Sequence, residues 1–171
     1  MKAWEKLDEE TFGKNYDYVW ESFKEMFNFN PSIYPEDWPS ITEPKPSITY
    51  DISSVYYNGE PNYLIVEQDL RIKTLSAFKE CLVSENRLYA LNWQHPSYWF
   101  YPYGSFDSSN CEEWLVPVLP NGDYYIFLAQ DFSFGFFGHP WEQSFCVFGS
   151  NLISAFVTHK PLLFSTVLRS N

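Results

Sequence analysis

Apolar positions change their spacing twice along this chain. Between Asn15 and Asn28, the residues Tyr16, Val19, Trp20, Phe23, Met26 and Phe27 recur at steps of three and four, which is the spacing of one helical face, and Asn15 is of the type that caps a helix start. The pattern predicts an amphipathic helix ending near Asn28. The next stretch, NPSIYPEDWPSITEPKPS, holds five prolines in eighteen residues. With φ fixed and no amide donor at those positions, it is expected to be a fixed, mostly extended connection. Ile48, Tyr50 and Ile52 then fall on one side at period two and predict a first strand. Ile65, Ile72, Leu75, Phe78 and Leu82 return to helical spacing, for a second helix from about Ile65 to Cys81.

Past residue 87 the chain changes character. RLYALNWQ, EWLVPVLP, DYYIFLAQ, FSFGFF and QSFCVFG are short runs rich in aromatic and β-branched residues, separated by turn residues. Asn121-Gly122 is a hairpin signal, because both residues accept the positive φ of a type I′ turn. Gly135 and Gly138, flanking Phe136 and Phe137, are expected to permit a turn or bulge. The runs are too close together to hold helical crossovers, so an antiparallel meander is expected. Pro117 lacks a ladder donor and should put its strand at an edge or a bulge. In SNLISAFVTH, Leu152, Ile153, Phe156 and Val157 share a helical face, with Ser150 or Asn151 as cap and Pro161 as limit. The expectation is one α+β domain over residues 1–171. Its antiparallel sheet would have about five or six strands with helices covering one face. Residues 1–87 would form a helical, proline-rich part, and 88–171 the meander and closing helix.

Composition narrows the function classes. A chain of 171 residues can bury roughly 68 to 70% of its extended surface, so it needs no staples. Its three cysteines, Cys81, Cys111 and Cys146, have no C-x-x-C spacing, and a reduced, cytoplasmic setting fits. The acidic start MKAWEKLDEE lacks the apolar core of a signal peptide, and no run approaches the roughly eighteen apolar residues that span a bilayer. The formal net charge is -11 and aromatic residues make up 21% of the chain. Such a balance opposes phosphate contacts and argues against nucleic acid as a partner. From Leu88 to His159 there is no lysine or arginine, yet Asp107, Glu112, Glu113, Asp123, Asp131 and Glu142 all occur there. Those carboxylates must meet solvent, backbone amides, basic residues from elsewhere in the chain, or a basic partner. A solvated acidic face and a surface shaped for a cationic protein are the two readings.

The chemistry-bearing candidates are few. The histidines are His95, His139 and His159. His95 and His139 each precede a proline, and Glu142 stands three residues after His139. With Glu113, Asp123 or Asp131, two of the histidines would give a His/carboxylate set suited to a metal or to acid/base work. However, H-x-x-E beside a proline is not the helical H-E-x-x-H arrangement. A histidine bonded to backbone at a strand end is the structural alternative. Cys146 lies in SFCVFG and Cys81 on an apolar helix side, where burial disfavours the thiolate, and Glu112 and Glu113 would do the same for Cys111. The glycines match neither a dinucleotide fingerprint nor a P-loop. No cofactor is expected.

PSITYDISSVY, YALNWQHPSYWFYP, WLVPVLPNGDYYIFLAQDF and FGHPWEQSFCVFGSNLISAF, with AWEKL and VWESF near the start, resemble a small bacterial family of unknown function numbered 2716, found mainly in bacilli. That resemblance spans nearly the whole chain and carries no activity. More distantly, the order of Trp114, Gly122, Asp123, Tyr125, Gly135, His139 and Phe156 resembles the carboxyl half of the SMI1/KNR4-like immunity superfamily. The opening glycine-proline segment of that superfamily has no clear counterpart here. This second resemblance implies a cytoplasmic protein that neutralises a cognate toxin, often a nuclease, by covering its working surface. The charge reading agrees with it, since an acidic partner can use the field that draws phosphate to a basic enzyme. The expected function is therefore a toxin-neutralising or regulatory protein-binding domain, a monomer or weak homodimer, with a basic protein partner. Trp99, Tyr101, Tyr103, Phe106 and Trp141 are its candidate anchors, with Asp107, Glu112, Glu113 and Glu142 as charged rim. The alternative is a small hydrolase-like enzyme or metal-binding protein using His139 with Glu142 or Asp123, joined by His95.

Overall fold

A computed structural model of the chain describes residues 1–7, 15–57, 59, 61–106 and 114–171. The elements are β1 (Trp4–Lys6), α1 (Asn15–Phe27), a 3-10 turn (Pro35–Asp37), β2 (Ser47–Asp51), α2 (Ser54–Tyr57), α3 (Asn62–Cys81), β3 (Leu88–Asn92), β4 (Tyr98–Phe100), β5 (Tyr125–Ala129), β6 (Gly135–His139), β7 (Ser144–Phe148), α4 (Ser150–Thr158) and β8 (Thr166–Ser170). The strands form one sheet in the order β1-β4-β3-β5-β6-β7-β2-β8, with every neighbouring pair antiparallel.

The α+β class and the antiparallel sheet agree with expectation, but the sheet has eight strands rather than five or six. In the run EWLVPVLP, the described residues 114–120 form none of them. Pro117 and Pro120 withhold ladder donors there, and the run instead buries Val116, Val118 and Leu119 completely as an irregular segment against the sheet. Asn121-Gly122 accordingly joins no strand pair and lies in the loop entering β5, with Gly122 at φ 138°. The strands that spacing did not announce are β1, β4 and β8. Two have three residues each, and β8 is almost wholly exposed at the sheet edge, so none shows a clear apolar alternation.

Helices were expected on one face; both faces are covered. On β5, Tyr125, Phe127 and Ala129 face a core shared with Leu70, Ala77 and Phe78 of α3 and Leu152, Ala155 and Phe156 of α4. Ile126 and Leu128 face a second core with Val19, Trp20, Phe23 and Phe27 of α1. A strand that is apolar at every position has no side left for water, which is the pattern of a sheet buried on both faces.

Local chemistry accounts for the element ends. α1 stops at Phe27 because Asn28 adopts φ 49°, and the Phe29 amide donates back to the Lys24 carbonyl at 3.1 Å. That left-handed residue with a six-to-one hydrogen bond is a Schellman stop. Met26, assigned to the buried face by spacing, is exposed. α4 is capped at Gly149, with Ser150 and Asn151 already helical, and Val157 is exposed. Gly135 and Gly138, expected at turns, stand inside β6, where a Cβ on Gly135 would lie 2.2 Å from the Phe127 carbonyl oxygen.

Candidate functional site

Strand register brings both histidine-proline corners to one end of the sheet. Asn92 pairs with Tyr125, Tyr125 with Gly138, and His139 with Ser144. The β3–β4 turn (93–97), the entry to β5 (121–124) and the β6–β7 turn (140–143) therefore lie side by side. The proline-rich segment returns over this end, where the Asn30 amide donates to the Ser40 carbonyl at 2.9 Å.

His139 is fully buried among the rings of Trp38, Tyr124, Phe137 and Trp141. Its Nδ1 accepts the backbone N–H of Glu142 at 3.0 Å, so the proton sits on Nε2, which donates to Ser40 Oγ at 3.0 Å. The Ser40 hydroxyl passes on to the Tyr124 hydroxyl at 3.1 Å, and Tyr124 donates to the Ser32 carbonyl at 3.1 Å. Every donor in this relay has an acceptor. Desolvation pushes the imidazole down to about 4, against an upward pull from Glu142. The ring is neutral, doubly bonded and sealed.

Glu142 is spent elsewhere. Its carboxylate takes Arg169 Nη1 at 2.7 Å and Nη2 at 2.9 Å, together with the Ser144 hydroxyl. Arg169 also grips Glu43 through Nε and Nη2, and Glu43 accepts the Thr49 hydroxyl at 2.6 Å. Burial alone would raise the Glu142 carboxyl, but these hydrogen bonds hold it below the ordinary value. The hydrogen bond between His139 and Glu142 therefore runs through the Glu142 amide and not its carboxylate, so the two are not a hydrogen-bonded acid/base couple. His95 is solvent-facing, with Nδ1 3.1 Å from Asn92 Oδ1 and 3.3 Å from Asp123 Oδ2. Among the described residues, no group of three or more His, Cys, Asp or Glu side chains is placed to hold a metal.

The acidic half of the chain settles its described carboxylates internally. Asp123 accepts the amides of Tyr124 at 2.7 Å and Gln94 at 3.3 Å, and Asp131 accepts the amide and hydroxyl of Ser133. Glu142 uses Arg169, from outside the lysine- and arginine-free stretch. Asp107, Glu112 and Glu113 lie outside the described residues, as does Cys111.

The expected anchors do not form one patch. Trp99 is core, 2% exposed, with Tyr89 against it and the Arg87 guanidinium 3.6 Å from its ring centroid. Tyr101 accepts from Arg87 and donates to Glu5, and Tyr103 donates to the Lys79 carbonyl. Both follow β4, at the end of the sheet away from the histidine corners. Phe106 lines a cleft of about 550 Å³ along α3 with Leu64, Ile72, Leu75 and Trp114. Of the expected set, only Trp141 reaches the surface at the histidine end.

There it meets Asp123, a candidate of the alternative reading, and three residues that the sequence did not single out, Trp93, Tyr34 and Ile33. Trp141, Trp93, Tyr34, Ile33 and Asp123 line a cleft of about 410 Å³. The Trp93 and Trp141 rings both pack edgewise on Tyr124, at centroid distances of 5.7 and 5.2 Å. Trp93 and Gln94 continue into an adjoining hollow with His95 and Lys6. A signal for Trp93 was present: it belongs to the turn before His95-Pro96, whereas Trp99 falls in a strand.

Comparison with known proteins places these residues in a family. No solved structure matches the chain. It is similar to the uncharacterized protein YxiI of Bacillus subtilis (strain 168), 34% identical over 166 residues that cover 96% of this chain and 98% of the relative. The wider likeness to SMI1/KNR4-like proteins finds no support among these matches. The model for the family described as protein of unknown function (DUF2716) matches residues 11–153, and the chain belongs to that family.

Proposed function

We propose that the protein is a toxin-neutralising or regulatory protein-binding domain that recognises a basic partner through the cleft between its two histidine-proline corners. The observation that carries this reading is the lining: two indoles and a phenol around a carboxylate, with no cation among the cleft residues. Aromatic walls with a negative base attract a positive group, and the net charge of -11 favours encounter with a basic protein. The acidic rim first expected at Glu142 contributes nothing, because that carboxylate is tied to Arg169. A cytoplasmic site of action belongs to the same proposal. Among the described residues, no helix is long and apolar enough to cross a membrane.

The competing reading, a hydrolase-like or metal-binding site on His139 with Glu142 or Asp123, is less well served. His139 lines neither hollow at this end, and both its nitrogens are engaged. Co-expression with the product of the adjacent gene tests the first reading. A complex that co-elutes in size exclusion, weakens with salt and restores growth when that product is toxic is expected. Failure to form a complex and to rescue growth removes the toxin-neutralising reading.

A further inference from the structure

Resting on that reading, we infer that the cleft is built for one chemical group, the guanidinium of an arginine side chain presented by the partner. The lining offers stacking surfaces on Trp93, Trp141 and Tyr34 and a single ionised group, Asp123. A guanidinium is planar and weakly hydrated, so it can lie against an indole face while its edge donates to a carboxylate. A lysine ammonium is a compact, strongly hydrated point charge that gains less from flat walls.

Asp123 is prepared for that role. Its residue is only 5% exposed, and its carboxylate is fixed by the amides of Tyr124 and Gln94, one on each oxygen. Each carboxylate oxygen has two acceptor directions, so capacity remains after the backbone bonds, and His95 Nδ1 stands 3.3 Å from Oδ2 alone. The walls are held too: Tyr124, against which both indoles pack, is locked by Ser32 and Ser40. Ile33 and Tyr34 are exposed at the rim, where a partner's main chain would pass. An anionic or phosphate ligand finds no basic side chain among these residues.

The test uses the full chain, labelled with nitrogen-15, and follows the indole N–H resonances of Trp93 and Trp141. Three probes are titrated: N-acetyl-arginine amide, N-acetyl-lysine amide and N-acetyl-citrulline amide, the last a neutral near-isostere of the first. The arginine probe should move both indoles saturably, with the lysine and citrulline probes at least roughly tenfold weaker. Trp141→Ala should abolish the response while the other indole resonances stay dispersed, which shows that the fold persists. Equal binding of citrulline would mean stacking without charge and would overturn the inference. Lysine equal to or stronger than arginine would overturn the guanidinium while leaving a basic partner in place. If no probe moves either indole, the inference falls alone, since complex formation with the adjacent gene product is measured independently of it.

Discussion

His139 Nε2 and the Ser40 hydroxyl, ninety-nine positions apart in sequence, meet at 3.0 Å. The contact fastens the proline-rich segment to the end of the sheet and so holds Ser32, Ile33 and Tyr34 beside Trp93 and Trp141. The ring's other hydrogen bond, at Nδ1, exists only while the imidazole is neutral. Nδ1 must stay bare to accept the Glu142 amide, so a second proton on the imidazole would set two donors against each other at 3.0 Å.

Acid should therefore loosen this end of the molecule in a defined window. Unfolded, the imidazole takes its proton near 6.5; folded, burial pushes that down to about 4. Between those values the unfolded chain binds more protons, so stability is complete above about pH 6.5 and falls as pH drops toward 4, by at most about 3 kcal/mol. Glu142 and Asp131, whose carboxyls are held low, add losses only below their ordinary values of 4.5 and 3.8. Urea midpoints across the window should slope in the native protein and be flat in His139→Gln, which starts less stable. The same slope in both would assign the acid sensitivity to other groups.

Cys146 should be inert toward thiol reagents in the folded protein. Desolvation lifts its thiol to about 12, and the side chain lies on the α1 face of β7, fully inside the second core. A thiolate is needed for attack, so labelling should proceed only through opening of the sheet. In a Cys81→Ser/Cys111→Ser background, the rate of modification should follow urea-induced unfolding. Rapid labelling in the absence of denaturant would contradict the packing of β7.

What the sequence made legible follows a physical rule. Period and residue type announced α1, α3, α4 and the central strands, each of which buries apolar side chains, although Ile65 and Ile72 of the face expected for α3 are exposed. They missed β1, β4 and β8, which the ladder hydrogen bonds of a neighbour hold in place. Val116 to Pro120 has strand-like composition, yet its prolines turn the same apolar residues into a buried loop. At the site, the weakness lay in pairing. His139 and Glu142 are three residues apart in sequence, but their distant partners are Ser40 for the one and Arg169 for the other, set by strand order that no local pattern encodes. Trp93 was a turn aromatic all along, overshadowed by Trp99, which the alternation of β4 sends into the core.

Gly135 should tolerate no side chain. An added Cβ would lie 2.2 Å from the Phe127 carbonyl oxygen and 3.1 Å from both Leu128 Cδ2 and Phe148 Cζ. The first of these is backbone in the central strand β5 and cannot turn aside. Overpacking of this kind costs about 1 to 3 kcal/mol where neighbours can shift, and more is expected here. Gly135→Ala should thus lower the urea midpoint sharply or leave the chain insoluble. Native-like stability would require the β5–β6 pairing to be wrong.

Arg169 should be the most sensitive surface-reaching residue. Its guanidinium lies between Glu43 and Glu142, whose side chains are only 6% and 11% exposed, while its own is 33% exposed. Arg169→Met would leave two confined carboxylates facing each other without a cation, and it would release β8 from the β6–β7 turn, leaving the Asn171 side-chain amide as its remaining side-chain tie to Glu43. Breaking a buried pair from one side costs about 3 to 5 kcal/mol, and the access of water to Arg169 argues for the lower end. For a chain of this size, about 3 kcal/mol lowers the melting temperature by roughly 6 to 12 °C. Arg169→Lys should fall between the two, because one ammonium cannot grip two carboxylates with paired hydrogen bonds. Adding Glu43→Gln and Glu142→Gln to Arg169→Met should recover at least half of the loss, since the uncompensated charges are then gone. If the triple variant is as unstable as Arg169→Met, the cost lies in lost packing of the arginine stem rather than in stranded charge.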